Sequence, residues 1–279
     1  MSKQAKSWTF GEKVQGYAWE VATPRANLLL QHGYGEYAGR FVTSYNRLIP
    51  NLNALDINVY AFDAEGHGRS PGARGATDMK RAVAHHLAAR DMLEEREEPL
   101  FLMGHSLGGL ITAASVAYRP EGVSGTVLSA PALKIELNPV LKAIAGLVAS
   151  IAPTARLTPP LDDDAISRDA AVVETYRNDP MVITRPPAAR LGATVFKVLE
   201  RAWEQFPDWD VPVLVVHGDA DRVTPIEGSR AFIETIGEGD KQLVEFPGGY
   251  HELLNDYDAD KALATVLDWL KPRLPGGKV

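Results

Sequence analysis

The apolar residues of this 279-residue chain come in short runs that alternate with segments of helix length. The runs are rich in Val, Ile, Leu and aromatic residues and predict eight strands, at residues 8–10, 14–21, 27–31, 57–62, 100–103, 123–129, 211–217 and 242–246. Helical spacing predicts helices at residues 76–98, 110–118, 226–236 and 258–270. This alternation is typical of a mostly parallel sheet with helices on both faces, and the first two strands are expected to form a hairpin.

The alternation stops between residues 131 and 208. No convincing strand is present there, proline is frequent, and several segments have helical spacing. We therefore predict a core of residues 1–131 and 208–279, with a mostly helical insertion of residues 132–207 between two consecutive strands of the sheet. Such an insertion is either ordinary helical packing or a lid over a functional site, and the motifs that flank it favour a lid.

Composition and charge narrow the classes of function. The net charge of −7 and the pI near 5.5 argue against a nucleic-acid partner and against attraction to an anionic membrane surface. Cysteine is absent, which excludes disulfides, thiolate nucleophiles and zinc–sulfur sites and suits a reducing cytoplasm. The N-terminal residues resemble no secretory signal, and the longest apolar stretch, residues 139–153, falls short of the roughly 20 residues of a membrane span. We expect a cytoplasmic protein.

The strongest chemical motif is Gly-x-Ser-x-Gly at residues 104–108, with Ser106 at its centre. The pattern alone is weak, but here an apolar strand leads into it and a helical segment leaves it. That context is typical of a strained turn that exposes a nucleophilic serine. The two glycines are needed because neighbouring backbone crowds such a turn. The alternative is a glycine-rich helix start with an incidental serine.

A nucleophilic serine needs a base, and the base needs an orienting acid. His251 is the only histidine after His217 and lies in a turn after the last predicted strand, where the base of a Ser–acid–His chain order belongs. The remaining histidines precede that place, and His85 and His86 are expected on a helix surface without a role.

Two aspartates are candidates for the acid, because Asp219 and Asp221 both follow the strand at residues 211–217. The spacing of residues 218–225 resembles a Gly-x-x-Asp-x-x-x-Pro turn, which selects Asp221. Asp219 is then a turn residue whose carboxylate serves the nearby backbone.

Acyl transfer also needs two N–H groups that stabilise an oxyanion. Leu107, directly after the nucleophile, should supply one. The second should come from the glycine-rich turn at residues 31–35, where Tyr34 is the natural candidate. Its alternative is a simple connector.

Taken together, the motifs resemble those of the monoacylglycerol lipases, in the lysophospholipase-like branch of the α/β-hydrolases. The similarity extends over nearly the whole chain and is carried by residues 32–36 with 40–41, 62–63 with 66–70, 104–109, 128–131, 217–218 with 221, and 250–252, and in the insertion by 165–169, 176 and 178–180. It implies an α/β-hydrolase fold with a mostly parallel eight-stranded sheet and a helical cap. It also implies a triad of Ser106, Asp221 and His251 and oxyanion donors at Tyr34 and Leu107.

The resemblance also bears on substrate contacts. Glu36 and Arg40 match residues that shape the pocket for a glycerol head; alternatively they form an ion pair that fixes the oxyanion loop. Some relatives have a second histidine three residues after the catalytic one, and here that position is Leu254, so the head-group contacts are expected to differ. Tyr34 is unusually large for its position and either narrows the pocket or offers its hydroxyl to the substrate.

The apolar stretch at residues 139–153 has two interpretations. A helix that is apolar on almost every face packs on the core, or it provides an acyl-chain wall, with Leu147 and Ile151 among its members, that also touches lipid surfaces. The run of three aspartates at residues 162–164 is interpreted as a solvated turn or helix start, with no metal site.

We therefore expect a serine carboxylic-ester hydrolase that acts on monoacylglycerols or similar single-chain acyl esters through an acyl-enzyme. It needs neither cofactor nor metal, and its expected partners are the small ester substrate and, transiently, a lipid surface. The alternatives are a broader carboxylesterase, a thioesterase or a lysophospholipase. An alternative of another class is a ligand-binding protein without turnover, which would not need the Ser, Asp and His set.

Overall fold

Eight strands form one sheet in the computed structural model, which describes residues 5–10, 13–135 and 139–276. Of the predicted units, residues 1–4, 11–12 and 277–279 of the core and 136–138 of the insertion lie outside this description. The strands are β1 Lys6–Trp8, β2 Gly16–Trp19, β3 Ala26–Gln31, β4 Ile57–Phe62, β5 Leu100–His105, β6 Val123–Ser129, β7 Val213–Gly218 and β8 Lys241–Phe246. Their order across the sheet is β1-β2-β4-β3-β5-β6-β7-β8.

The sheet is parallel from β4 to β8, and only its first strands are antiparallel. The predicted hairpin is confirmed, but its first strand begins two residues earlier than predicted and shares only Trp8 with the predicted range of residues 8–10. Residues Val14 and Val21 lie outside β2. The predicted bounds of β4 and β6 agree with the structure.

Nine α-helices are found in the described part of the chain. They are α1 Arg40–Thr43, α2 Leu48–Asn53, α3 Met79–Glu94, α4 Leu107–Tyr118, α5 Pro139–Ile151, α6 Ala170–Asn178, α7 Ala189–Gln205, α8 Glu227–Thr235 and α9 Ala259–Leu270. Helix α3 begins later than predicted because the Asp78 side chain accepts hydrogen bonds from the backbone N–H groups of Lys80 and Arg81 and so caps it.

The core lies on both faces of the sheet because successive side chains of a strand point to opposite sides. In β5, Leu100 and Leu102 pack with α3, α4 and α7, whereas Phe101 and Met103 pack with α2 and α9. All six residues of β3, β4, β5 and β7 are buried, as expected for central strands of a parallel sheet.

The segment between β6 and β7, which pair directly, holds α5, α6 and α7. Helix α7 of the inserted segment is part of the core, because its apolar face packs against α3 and α4. This contact corrects the prediction for His85 and His86, which are buried rather than on a helix surface. His86 Nδ1 lies 2.9 Å from the Ser115 hydroxyl of α4, so the two helices share a buried polar pair.

Candidate active site

Ser106 lies in the tight turn that joins β5 to α4. Its φ of 54° and ψ of −121° are strained for a residue with a side chain, and such strain is concentrated at functional sites. A Cβ added to Gly108 would lie 2.3 Å from the Gln31 carbonyl oxygen and 2.4 Å from that of His32. The start of α4 therefore packs directly on the end of β3, and only glycine permits this approach.

Asp221 and His251 are joined by a hydrogen bond of 2.7 Å from His251 Nδ1 to Asp221 Oδ2. The backbone N–H groups of Val223 and Thr224 donate to the other carboxylate oxygen, at 2.7 and 2.9 Å. With Nδ1 bound to Asp221, His251 has Nε2 free for the cavity that it lines together with Ser106. Within the described residues no hydrogen bond joins Ser106 to His251; in sites of this kind that bond often closes only in the substrate complex.

The pKa values of the buried Asp221 and His251 are shifted in opposite directions. Burial by itself would raise the pKa of Asp221, but His251 and His217 beside it hold that pKa well below its usual range. Burial likewise acts to lower the pKa of His251, and the Asp221 carboxylate reverses this and raises it. Asp221 is therefore an anion throughout the neutral range, and His251 is a base strengthened by its neighbour.

Asp219 has a different partner. Its Oδ1 accepts the backbone N–H of Gly248 at 2.6 Å, which ties the turn before His251 to the end of β7. The structure thus places Asp221, and not Asp219, against His251.

The turn after β3 holds the candidate oxyanion donor beside the serine. A Cβ on Gly33 would lie 3.0 Å from the Ser106 Cβ, so the backbone passes the serine closely. His32 accepts the N–H of Ala64 through Nε2 and donates through Nδ1 to the Gly33 carbonyl, at 2.9 and 2.7 Å. Within the described chain the N–H groups of Tyr34 and Leu107 donate to no protein acceptor, as expected of an oxyanion hole.

Glu36 and Arg40 belong to a buried ion network. Glu36 Oε1 accepts the Gly33 N–H at 2.7 Å, and its Oε2 lies 3.0 Å from Arg40 Nη1 and 2.9 Å from the Tyr45 hydroxyl. Arg40 also pairs with both carboxylate oxygens of Glu252, at 2.9 and 3.2 Å. This arrangement favours the ion-pair interpretation, since Glu36 fixes the turn that carries Tyr34, although Glu36 also lines the cavity beside Ser106.

The two glutamates of this network have pKa values shifted in opposite directions. Burial raises the pKa of Glu36. It acts in the same direction on Glu252, but the paired Arg40 prevails and holds the pKa of Glu252 at about 2. Glu252, directly after His251, is therefore an ionised carboxylate beside the site.

Two cavities meet at Ser106. The smaller one, of about 30 Å³, has apolar walls at Leu161, Ile166 and Val223 and carries the charged or polar side chains of Glu36, Glu252, His251, Asp162 and Asp163. The larger one, of about 460 Å³, is mostly apolar, and its walls include Leu107, Ile135, Leu157, Leu191, Val195 and Phe196. Side chains from the inserted segment thus contribute to both.

Tyr34 lines both cavities, and its hydroxyl has a protein partner. It donates to the carbonyl oxygen of Arg185 in the inserted segment at 2.9 Å, and burial raises its pKa to about 12. Tyr34 therefore lies where the two cavities meet, and its hydroxyl tethers the inserted segment to the turn after β3.

Three predicted substrate contacts lie elsewhere in the structure. Leu254 is buried in the core with Leu253 and Phe41, because the short helical turn after His251 directs it beneath the site. Leu147 and Ile151 are 66% and 80% exposed, and they are absent from the walls of the cavities described above. These two residues of α5 face outward and provide no acyl-chain wall here.

Two residues of the site had no assigned role in the sequence. The Thr224 hydroxyl and the His217 ring contact Asp221 Oδ2 at 2.8 and 3.2 Å. Their positions three residues after and four before Asp221 were the available signal. Among residues 5–10, 13–135 and 139–276, no group of three acidic or histidine side chains is arranged to hold a metal ion.

Comparison with known proteins agrees with this geometry. Residues 22–258 match the Hydrolase_4 family model, described as "Serine aminopeptidase, S33". A monoacylglycerol lipase of Mycolicibacterium smegmatis is 35% identical over 95% of this chain and 95% of its own, and the human monoglyceride lipase is 31% identical over 84% and 77%. The crystal structure of a monoacylglycerol lipase from Paleococcus ferrophilus superposes with a TM-score of 0.84 at 36% identity, covering 94% of this chain and all of that one.

These matches confirm the predicted fold and the predicted class of enzyme. The family model covers most of the chain, and the superposed structure covers 94% of it. The protein is a serine hydrolase with the α/β-hydrolase fold and belongs to the Hydrolase_4 family.

Proposed function

We propose that this enzyme hydrolyses monoacylglycerols and similar single-chain acyl esters through an acyl-enzyme on Ser106. The observation that carries the proposal is the position of Ser106 where a small cavity with four carboxyl-bearing residues in its walls meets a larger, mostly apolar one. An ester with one acyl chain and a small polar alcohol has two matching parts: the acyl chain suits the apolar cavity, and the alcohol suits the smaller one. The apolar cavity, at about 460 Å³, is within the usual range for small-molecule sites.

In this proposal His251 takes the proton of Ser106 while the serine oxygen attacks the ester carbonyl. The N–H groups of Tyr34 and Leu107 stabilise the oxyanion of the tetrahedral intermediate. His251 then protonates the leaving alcohol, and it activates a water molecule that releases the acid and restores the serine. Asp221 orients His251 and stabilises its charged form.

The small cavity supports a neutral alcohol as the leaving group. Its walls contain four carboxyl groups, and the one on Glu252 is held ionised by Arg40. A glycerophosphodiester carries a negative charge, which is disfavoured beside these carboxyl groups. Glycerol esters are therefore favoured over lysophospholipids.

Labelling with a fluorophosphonate tests the nucleophile. The wild-type protein and Ser150→Ala, a control that removes an exposed serine of α5, should label equally. Ser106→Ala should neither label nor turn over. Labelling that persists in Ser106→Ala would reject the assignment, and an unlabelled wild-type protein would favour a binding protein without turnover.

A rate panel tests the substrate class. It compares monoacylglycerols of several chain lengths with p-nitrophenyl esters, an acyl thioester, a lysophosphatidylcholine and an aminoacyl anilide. We expect the highest kcat/KM for a monoacylglycerol. A wide preference for short esters would reject the lipase proposal while leaving the serine esterase intact, and a preference for the anilide would indicate a peptidase.

We also propose transient contact with a lipid surface from a cytoplasmic location. The support is the exposed apolar face of α5, formed by Ile144, Leu147 and Ile151, together with the absence of cysteine. In the described residues no helix is long and apolar enough to cross a membrane.

A further inference from the structure

His217, near the end of β7, is a wholly buried histidine that the mechanism above does not use. Its Nε2 lies 3.2 Å from Asp221 Oδ2 and 3.0 Å from the carbonyl oxygen of Thr224, and its Nδ1 lies 2.7 Å from the Ser229 hydroxyl of α8. We propose that His217 is a positioning residue that holds the Asp221 carboxylate toward His251, with Ser229 holding His217 in turn. This inference rests on the roles proposed above for Asp221 and His251.

The partners of His217 define where its proton lies. The two nearest groups to Nε2, Asp221 Oδ2 and the Thr224 carbonyl oxygen, are acceptors, so Nε2 carries a proton. The Thr224 hydroxyl lies farther from Nε2, at 3.5 Å, and donates to Asp221 Oδ2 at 2.8 Å. The Ser229 hydroxyl can donate to Nδ1, which fixes this tautomer. The wrong tautomer would set a lone pair against the Asp221 carboxylate, and Ser229, itself fully buried, prevents it.

The position of Asp221 depends on how its two oxygens are shared. Oδ1 is anchored by two backbone N–H groups. Among the described residues, Oδ2 is held by side chains alone: His251 at 2.7 Å, Thr224 at 2.8 Å and His217 at 3.2 Å. The Asp221 side chain is fully buried, so water cannot easily replace a lost donor. His217 is the one of the three that also binds the Thr224 backbone, and it therefore fixes both the carboxylate and the loop beside it.

The first test replaces His217 by Leu, which fills a similar volume without a donor. Hydrogen bonds to charged groups predict a fall in kcat of about 10- to 100-fold, with KM nearly unchanged because the cavities are intact. His217→Gln, whose amide nitrogen can reach the same place, should recover most of the loss. Ser229→Ala should show a smaller loss in the same direction.

A double-mutant cycle separates positioning from general structural damage. If His217 acts through Asp221, His217→Leu should cause less than about a twofold further loss in an Asp221→Ala background. His86→Leu is a matched control, because His86 is also wholly buried and paired through Nδ1 with a serine hydroxyl, Ser115. It should keep kcat within about threefold of wild type. Thermal melts establish that each variant is folded.

Several results would overturn the inference. They are a folded His217→Leu with wild-type kcat, an equal loss in the Asp221→Ala background, or an equal loss in His86→Leu. If His217→Leu does not fold, Ser229→Ala replaces it in the same comparison. The loss of kcat that Ser229→Ala causes in the wild-type protein should then largely disappear in the Asp221→Ala background, and an equal loss in both would overturn the inference. Full activity of Ser106→Ala would instead reject the proposed function, so the two failures are distinguishable.

Discussion

At the scale of single residues, Asp219 and Asp221 lie in one loop but have different hydrogen-bond partners. Asp221 accepts hydrogen bonds at both oxygens and faces His251, whereas Asp219 binds the backbone of Gly248. The Gly-x-x-Asp spacing was sufficient to favour Asp221. The bond from Asp219 across to the turn before His251 was not predictable, because it joins loops that only the sheet brings together.

Asp221→Asn should lower kcat/KM on the order of 10⁴-fold, because an amide cannot stabilise the charged histidine or select its tautomer. Asp219→Asn is the matched control and should stay within about threefold of wild type, since an amide oxygen can still accept the Gly248 N–H. Steady-state kinetics on a p-nitrophenyl ester measure both. The opposite order of effects would assign the acid to Asp219.

The pH dependence of the wild-type enzyme follows from His251. The base must be neutral, and Asp221, Glu252 and Glu36 around it raise its pKa above the usual 6.5. His105, 4.8 Å away, has a pKa lowered by burial to about 3 and stays neutral across this range. We therefore expect kcat/KM to rise with pH through a midpoint above 6.5.

In Asp221→Asn that midpoint should move to lower pH, because burial then lowers the pKa of His251 without the opposing carboxylate. A profile of kcat/KM between pH 5 and 9 measures the shift. A midpoint that is the same in both proteins would show that Asp221 does not set the charge of His251.

At the scale of elements, the turn between β5 and α4 depends on close backbone contact. Gly108→Ala places a Cβ 2.3 Å from the Gln31 carbonyl oxygen, so β3 and α4 must move apart. We expect a loss of stability of about 1–3 kcal/mol or more and slower labelling of Ser106 by fluorophosphonate.

Gly146→Ala is the matched control for this change, since an added Cβ there meets nothing within 4 Å. Within helix α5, alanine is favoured over glycine by about 0.5–1 kcal/mol, so stability should hold or rise and labelling should be unchanged. Thermal melts and labelling rates give both comparisons. Equal behaviour of the two variants would contradict the packing argument.

At the scale of the whole molecule, the inserted segment both lines the apolar cavity and forms part of the apolar outer surface. Helix α7 lines the apolar cavity and packs on the core, whereas α5 presents exposed apolar side chains to the outside. The sequence predicted helical segments in the insertion but did not place α7. The outward direction of α5 could not be predicted from it either, because a helix apolar on most faces does not specify which face is covered.

A double variant, Leu147→Ser with Ile151→Ser, tests the outer surface. Each side chain contributes about 1.5–3 kcal/mol when transferred from water, so activity on monoacylglycerol in vesicles should fall at least about tenfold. Hydrolysis of a soluble p-nitrophenyl ester should not change, because neither residue lines the described cavities. Met92→Ser, which removes a 41% exposed apolar side chain from α3, is the control. An equal fall with both substrates would reject the lipid contact.

The strands, their alternation with helices and the chain order of Ser106, Asp221 and His251 could be predicted from the amino-acid sequence, because they depend on local periodicity and on spacing within single turns. Which side chains meet across the ends of the strands could be seen only in the folded molecule. The fold buries Leu254, places Leu147 and Ile151 on the outer surface, joins Glu36, Arg40 and Glu252, and sets His217 against Asp221. The physical reason is that a side chain's partners come from distant loops, and their approach is fixed by the packing of the whole sheet rather than by the residues on either side.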